Sequence, residues 1–228
     1  MDAANPLRTI APTVDADVLL VLARTHRPLS GAAVARLASR SYARTRSCLH
    51  RLSAHGLLLA EDTGSAVMYR LNRRHVLAGA VLQAASATDS VEQWLVERLA
   101  RCSPSPRAAV LFGSWARGEA GPDSDIDLLL VRATDVDPES ADLDEAWAQQ
   151  VHVLGEDLEA LTGNTVQFVH LDEHQLVQAV AQEQPLIANL RTDGRVLLGP
   201  SLRELLHPPT PQAGLGTVAQ AAGEGADT

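Results

Sequence analysis

The residues best suited to chemistry in this chain lie between Gly113 and Asp127. An apolar run, Ala108 to Phe112, ends at Gly113-Ser114. A second, Leu128 to Val131, follows Asp125-Ile126-Asp127. A Gly-Ser turn leaving a strand can aim backbone N–H groups at a phosphate. Side chains at i and i+2 of an extended segment share a face, so Asp125 and Asp127 are expected to point the same way. Mg²⁺ is commonly held by one or two carboxylates together with water and phosphate oxygens, so the pattern predicts a Mg²⁺–nucleotide site. A blander alternative has Asp125 capping the turn and Asp127 paired with an arginine. Two acids opening an apolar strand are costly without a cation or a partner.

The elements that must hold these residues alternate. A strand at Ala108–Phe112, a short helix from Ser114 and a strand at Ile126–Val131 are expected first. A polar loop, Arg132 to Ser140, leads to a long helix from about Ala141 to Leu161. Thr162-Gly163-Asn164 turns into a strand, Thr165–Leu171, and Asp172 is placed to cap a helix over Glu173–Gln182. Pro185 opens another helix, and Val196-Leu197-Leu198 is a short last strand. From His207 the chain is rich in Pro, Gly and Ala with little periodicity, which predicts disorder.

Leu111 to Val131 is similar to the nucleotidyltransferase superfamily whose pattern is Gly-Ser, about ten residues, then Asp-x-Asp. It most resembles the minimal, MNT-type transferases, with Gly113-Ser114-Trp115-Ala116-Arg117-Gly118 and Ser124-Asp125-Ile126-Asp127-Leu128. The resemblance implies that Gly113 and Ser114 hold the β- and γ-phosphates of an NTP, ATP as the first choice. It implies that Asp125 and Asp127 are catalytic and ligate Mg²⁺. Arg117 would meet a phosphate or an acidic side chain shaping the loop, and Asp123 belongs to the turn through Gly121-Pro122. Active relatives carry a third acid on a later strand, where this chain has Val166-Gln167-Phe168-Val169. Glutamine is no general base and a weak metal ligand. Three readings stay open: transfer with a substitute base (His170, Asp172, Glu173, Glu156, Asp157 or Glu159), nucleotide sensing without fast chemistry, or a relic site. If the strand is regular, His170 falls on the face opposite Gln167, which favours a plain surface histidine.

The front of the chain differs in charge. Residues 1–80 hold 11 arginines against 5 acids, a surplus of 6, whereas residues 81–228 hold 8 arginines against 23 acids, a deficit of 15. Helical patterns are expected at Asp15–Thr25, at Ser30–Ala38 with Val34 and Leu37 on one face, and at Ser41 to about Ala54. The last has an inward stripe of Thr45, Cys48, Leu49 and Leu52, and His55-Gly56 stops it. Leu57-Leu58-Leu59, a turn at Glu61–Ser65 and Ala66–Leu71 read as a β-hairpin, after which Asn72 caps a helix to about Ala85. An amphipathic helix over Ser90–Arg101 and a Ser-Pro hinge, Ser103–Pro106, follow.

Over roughly residues 12 to 80 this order resembles the winged helix-turn-helix of MarR- or ArsR-like regulators, which implies DNA binding and transcription regulation. A recognition helix presents its N-terminal part to the major groove, which assigns Arg40, Ser41, Tyr42, Arg44, Arg46 and Arg51 to DNA. Glu61 and Asp62 at the wing tip would repel phosphate. The alternative use of the module is dimerisation or protein docking.

The fold class expected is therefore α/β (α+β): an N-terminal winged helix-turn-helix, 12–80, a connecting helix and hinge, 81–106, and a nucleotidyltransferase fold, 107–206, with a small mixed sheet flanked by helices. A disordered tail, 207–228, completes the chain. The 228 residues are 46% apolar, enough for a sizeable core, with only 3% aromatics and no lysine. No run approaches the ~20 apolar residues of a membrane span. Met1 to Pro12 lacks a signal-peptide pattern, and Cys48 and Cys102 read as reduced thiols, which together point to a cytoplasmic protein. Partners expected are DNA, an NTP with Mg²⁺, and a protein or RNA acceptor, in a homodimer if the operator is two-fold, and no membrane. A toxin–antitoxin or defence setting is a further implication of the MNT resemblance.

Overall fold

The computed structural model describes residues 1–133 and 141–207. The expected tail, apart from His207, and most of the polar loop after Arg132 lie outside the described residues. The first body comprises α1 (Leu7–Ile10), α2 (Val14–Ala23), β1 (Leu29–Ser30), α3 (Gly31–Leu37), α4 (Tyr42–Ala54), β2 (Leu58–Asp62), β3 (Val67–Leu71) and α5 (Ala78–Ala85). Its strands form an antiparallel sheet in the order β1-β3-β2. The helices meet through Val18, Leu22, Val34, Leu49 and Leu52, and Leu58 and Leu71 join them from the sheet. The α4 stripe is as expected, with Thr45, Cys48, Leu49 and Leu52 all buried.

Several local expectations need correction. Leu37 is 53% exposed, because the buried stripe of α3 runs through Val34, Ala35 and Ala38 and Leu37 falls beyond its edge. Asn72 caps no helix. Its Oδ1 accepts from the Arg74 amide (3.2 Å) and its Nδ2 donates to the Gly56 carbonyl (2.8 Å), a local turn that competes with helix. Helix α5 consequently starts at Ala78. Strand β2 runs on through Glu61 and Asp62, so the hairpin turn is shorter than expected. Helix α1 and the two-residue β1 are too short to leave a periodic signal.

The second body comprises α6 (Ala87–Leu99), β4 (Ala108–Phe112), α7 (Gly113–Ala116), β5 (Ile126–Arg132), α8 (Ala141–Thr162), β6 (Val166–Asp172), α9 (Glu173–Ala181), α10 (Pro185–Asp193), β7 (Arg195–Leu198) and α11 (Leu202–Leu206). The sheet order is β6-β5-β4-β7, with β5 and β6 parallel and the other pairs antiparallel. It is a small mixed sheet with helices on both faces, as expected for a nucleotidyltransferase fold. Ile126, Leu128 and Leu130 pack toward Leu95, Leu99, Leu154 and Leu158 of α6 and α8. Leu129 and Val131 pack with Leu176, Ile187 and Leu190 of α9 and α10. Each leucine buried this fully contributes about 1.5–3 kcal/mol. Within 81–106, Val81 and Ala85 lie in the first core and Val91, Leu95 and Leu99 in the second. Asp172 does cap α9, through a capping box with Gln175.

Candidate functional site

Strands β4 and β5 pair so that Phe112 lies opposite Asp127, which brings Gly113 against the Asp127 side chain. Gly113 has φ +72°, and a Cβ there would stand 2.2 Å from Asp127 Oδ2. Only glycine serves, for backbone conformation and for space. Ile126 and Leu128 anchor β5 on the α8 side, so Asp127 takes the opposite face. Asp125 is exposed and Asp127 half-buried. Among the described residues, no hydrogen bond or ion pair reaches either carboxylate. Burial first, then Asp125 and Asp193, push the Asp127 carboxyl above the usual carboxylate range, and Arg117 partly opposes them. A half-buried acid without a partner, beside two other acids, is electrostatically suited to a cation.

The loop between these residues is firmly held. Asn164, 2% exposed, donates from Nδ2 to the carbonyls of Gly121 (3.2 Å), Pro122 (3.2 Å) and Ser124 (3.0 Å). The Ser124 hydroxyl accepts from the Gly121 amide (3.0 Å), and Ala4 N–H donates to the Ala120 carbonyl (3.1 Å). The sequence marked Asn164 only as a turn residue, although it fixes the approach to Asp125. Asp193, at the end of α10, also escaped notice. Its Oδ1 accepts from the Gly113 amide (3.3 Å), and its Oδ2 pairs with Arg117 Nη1. Arg117 Nε also meets Glu119 (2.8 Å), so of its two expected partners the acidic one is present. The signal for Asp193 is faint: an Asp-Gly between a helix and a strand, 66 residues beyond Asp127.

Gln167 is exposed and lies directly beside Asp127 in the parallel register. The substitute acids do not gather there. Asp172 caps α9 and sits level with Arg132, at the other end of β5. Glu173 pairs with Arg107, and Asp157 with Arg98. Glu159 accepts from the Val166 amide (3.0 Å), and Glu156 lies 3.5 Å from His152. His170 is edge-on to Trp147, with ring centroids 6.4 Å apart, and burial lowers its pKa. A cavity of about 820 Å³ lined by Trp147, His170 and Arg132 opens at that far end, and neither Asp125 nor Asp127 borders it. Among the described residues no three His, Cys, Asp or Glu side chains form a metal cage. Two carboxylates completed by phosphate oxygens would suit Mg²⁺, which seldom relies on an all-protein cage.

The front arginines divide in two. Arg40 pairs with Asp17 (2.5 Å) and Arg51 with Asp15. Arg44 and Arg46, with Tyr42 and Ser41, are exposed, and neither arginine has a partner among the described residues. Ser41 makes no side-chain capping bond to α4. Both cysteines are free thiols, and burial, then Asp15, push the Cys48 thiol up to about 12. No described helix is long and apolar enough to cross a membrane.

Residues 96–197 match the family described as polymerase beta, nucleotidyltransferase. The matched region runs from within α6 to within β7 and takes in Gly113, Ser114, Asp125, Asp127 and Asp193. The similarity to nucleotidyltransferases thus covers residues 96–197. No curated protein matches the chain. Among solved structures, a crystal structure of a toxin–antitoxin with AMP-PNP is 22% identical with a TM-score of 0.34. A second, of a toxin–antitoxin MntA–HpeT mutant, is 19% identical with a TM-score of 0.33. Each alignment covers 50% of this chain and 79% of the other.

Proposed function

We propose that the domain binds a Mg²⁺–NTP, ATP as first choice, and transfers its nucleoside monophosphate to a protein or RNA acceptor while the front of the chain holds DNA. The observation that carries this reading is the close approach of Gly113 to an unpartnered Asp127 carboxylate. Asp125 and Asp127 would hold Mg²⁺, which supplies charge neutralisation on the triphosphate. The Gly113-Ser114 turn, with the Ser114 amide and hydroxyl as donors, would hold the β- and γ-phosphates and fix the α-phosphate for in-line attack. The acceptor oxygen bonds to the α-phosphorus, the α–β bridging oxygen leaves with pyrophosphate, and the acceptor proton passes to water.

Incubation with each α-labelled NTP, Mg²⁺ and cell extract should label an acceptor, and an Asp125→Asn/Asp127→Asn variant should not. Absence of label with every NTP contradicts transfer. One observation favours a second reading, nucleotide sensing without turnover: Gln167, beside Asp127, can take no proton. Under that reading Mg²⁺–NTP still binds, and Gln167→Asp creates or raises labelling.

The DNA reading is supported by the front's charge surplus and by the helix–turn–helix spacing of α3 and α4 ahead of a three-stranded sheet. With Arg40 and Arg51 paired internally, groove contact falls to Arg44, Arg46, Tyr42 and Ser41 on a winged helix. Binding to genomic fragments should weaken steeply with salt. A salt-independent or absent shift contradicts it and favours a docking module.

A further inference from the structure

Asp193 is the described carboxylate that accepts a hydrogen bond from the Gly113 amide, and two features of the fold put it there. Helix α10 passes into β7 through Gly194 alone, where a Cβ would meet the Leu190 carbonyl oxygen at 2.5 Å. Strand β7 then pairs with β4 so that Arg195 lies opposite Leu111. Asp193, two residues before Arg195, therefore stands beside Gly113, two residues after Leu111. Its side chain is only 6% exposed, and both oxygens are engaged, one by the Gly113 amide and one by Arg117. With both oxygens already accepting, one from a guanidinium and one from an N–H, this carboxylate is tied to the turn. Its geometry orients: one end fixes the turn that packs on Asp127, the other fixes a cation at the same turn.

We propose that Asp193 is a positioning residue of the nucleotide site, holding the Gly113-Ser114 turn, through the Gly113 amide, and the Arg117 guanidinium in place for the triphosphate. Resting on the reading of the site as a Mg²⁺–NTP site, this places the domain's third carboxylate on α10, not at position 167. Asp193 acts through Arg117 and the Gly-Ser turn and takes no proton from the acceptor. Asp193→Asn keeps an acceptor for the Gly113 amide and loses the charge that holds Arg117, whereas Asp193→Ala loses both.

The test is calorimetric titration of Mg²⁺–AMP-PNP onto wild type, Asp193→Asn, Asp193→Ala, Arg117→Ala and the Asp193→Ala/Arg117→Ala double variant. Thermal melts confirm that each is folded. Affinity should fall about 3-fold in Asp193→Asn and about 10-fold in Asp193→Ala. The double variant should lose less than the two single losses combined, since residues in one ion pair are not additive. In Asp193→Asn the Gly113 amide NMR resonance should stay near its wild-type position, and in Asp193→Ala it should move. Where turnover is measured, KM should rise with kcat nearly constant. Wild-type binding that Asp193→Ala leaves unchanged, or a fall in kcat of about 100-fold with KM unchanged, overturns this inference and leaves the site reading intact. Independent, fully additive losses overturn it as well. Absence of wild-type binding overturns both. If Asp193→Ala does not fold, Asp193→Asn against Arg117→Lys supplies the same cycle.

Discussion

Two aspartates, one in each half of the molecule, show how the same side chain serves different ends. Asp17 on α2 is 3% exposed and accepts from Asn5 Nδ2 (2.9 Å), Arg8 Nε (2.7 Å) and Arg40 Nε (2.5 Å). Its charge is fully answered, and it ties residues 5–8 and the turn before α4 to the first core. Asp127 on β5 is less buried, yet among the described residues no hydrogen bond reaches it, and its nearest charged company includes two more acids. Buried charge with partners is architecture; charge left unanswered beside a glycine turn is where a ligand is expected. The arginines divide the same way, with Arg40 and Arg51 answered and Arg44 and Arg46 not.

The contrast has measurable consequences. The largest effect on stability is expected at Asp17. Asp17→Ala removes the acceptor shared by Arg8, Arg40 and Asn5, leaving Arg8 only its longer pair with Asp2, and should cost about 2–3 kcal/mol in urea denaturation. That is less than the full cost of breaking a buried pair, because both arginines still touch water. A loss under about 0.5 kcal/mol would erase the distinction between the two aspartates. On the binding side, Arg44→Ala and Arg46→Ala should each weaken DNA binding by about 1–3 kcal/mol if they read bases, or lower the salt slope by about 1 if they meet phosphates. Arg51→Ala, already paired with Asp15, should change DNA affinity far less. Equal losses at all three would mean that internal pairing does not withdraw an arginine from DNA.

The smallest effect, opposite in sign to that at Asp17, is expected from Asp127→Asn. Burial and neighbouring acids raise the Asp127 carboxyl, so wild type loses stability as pH rises through that raised value. Removing the charge should therefore raise Tm at neutral pH, with the gain vanishing below the ordinary carboxylate range. A lower Tm at neutral pH would show that Asp127 is a structural acid after all.

How much of this was legible in the sequence follows from distance along the chain. Gly113-Ser114 and Asp125-Ile126-Asp127 lie close together and carry local periodicity, so the turn and the shared face of the acids could be read directly. The α4 stripe was equally local. Asp193 and Asn164 reach the site only because β7 and β6 fold back beside β4 and β5, pairings that no local pattern encodes. The Arg40–Asp17 pair is equally hidden from local pattern, because the two residues lie 23 apart. Leu37 and Asn72 depart from expectation on finer grounds, one at a stripe edge and the other in a turn that outcompetes a helix cap.

Asp125 and Asp127, left unanswered by the protein, are expected to receive a metal-bound nucleotide. Titration of ATP with and without Mg²⁺ onto the full chain and onto an Asp125→Asn/Asp127→Asn variant tests this most directly. Saturable one-site binding that requires Mg²⁺ and is lost in the folded variant is expected. Binding that survives in the variant, or no binding of any Mg²⁺–NTP by the wild type, would contradict it.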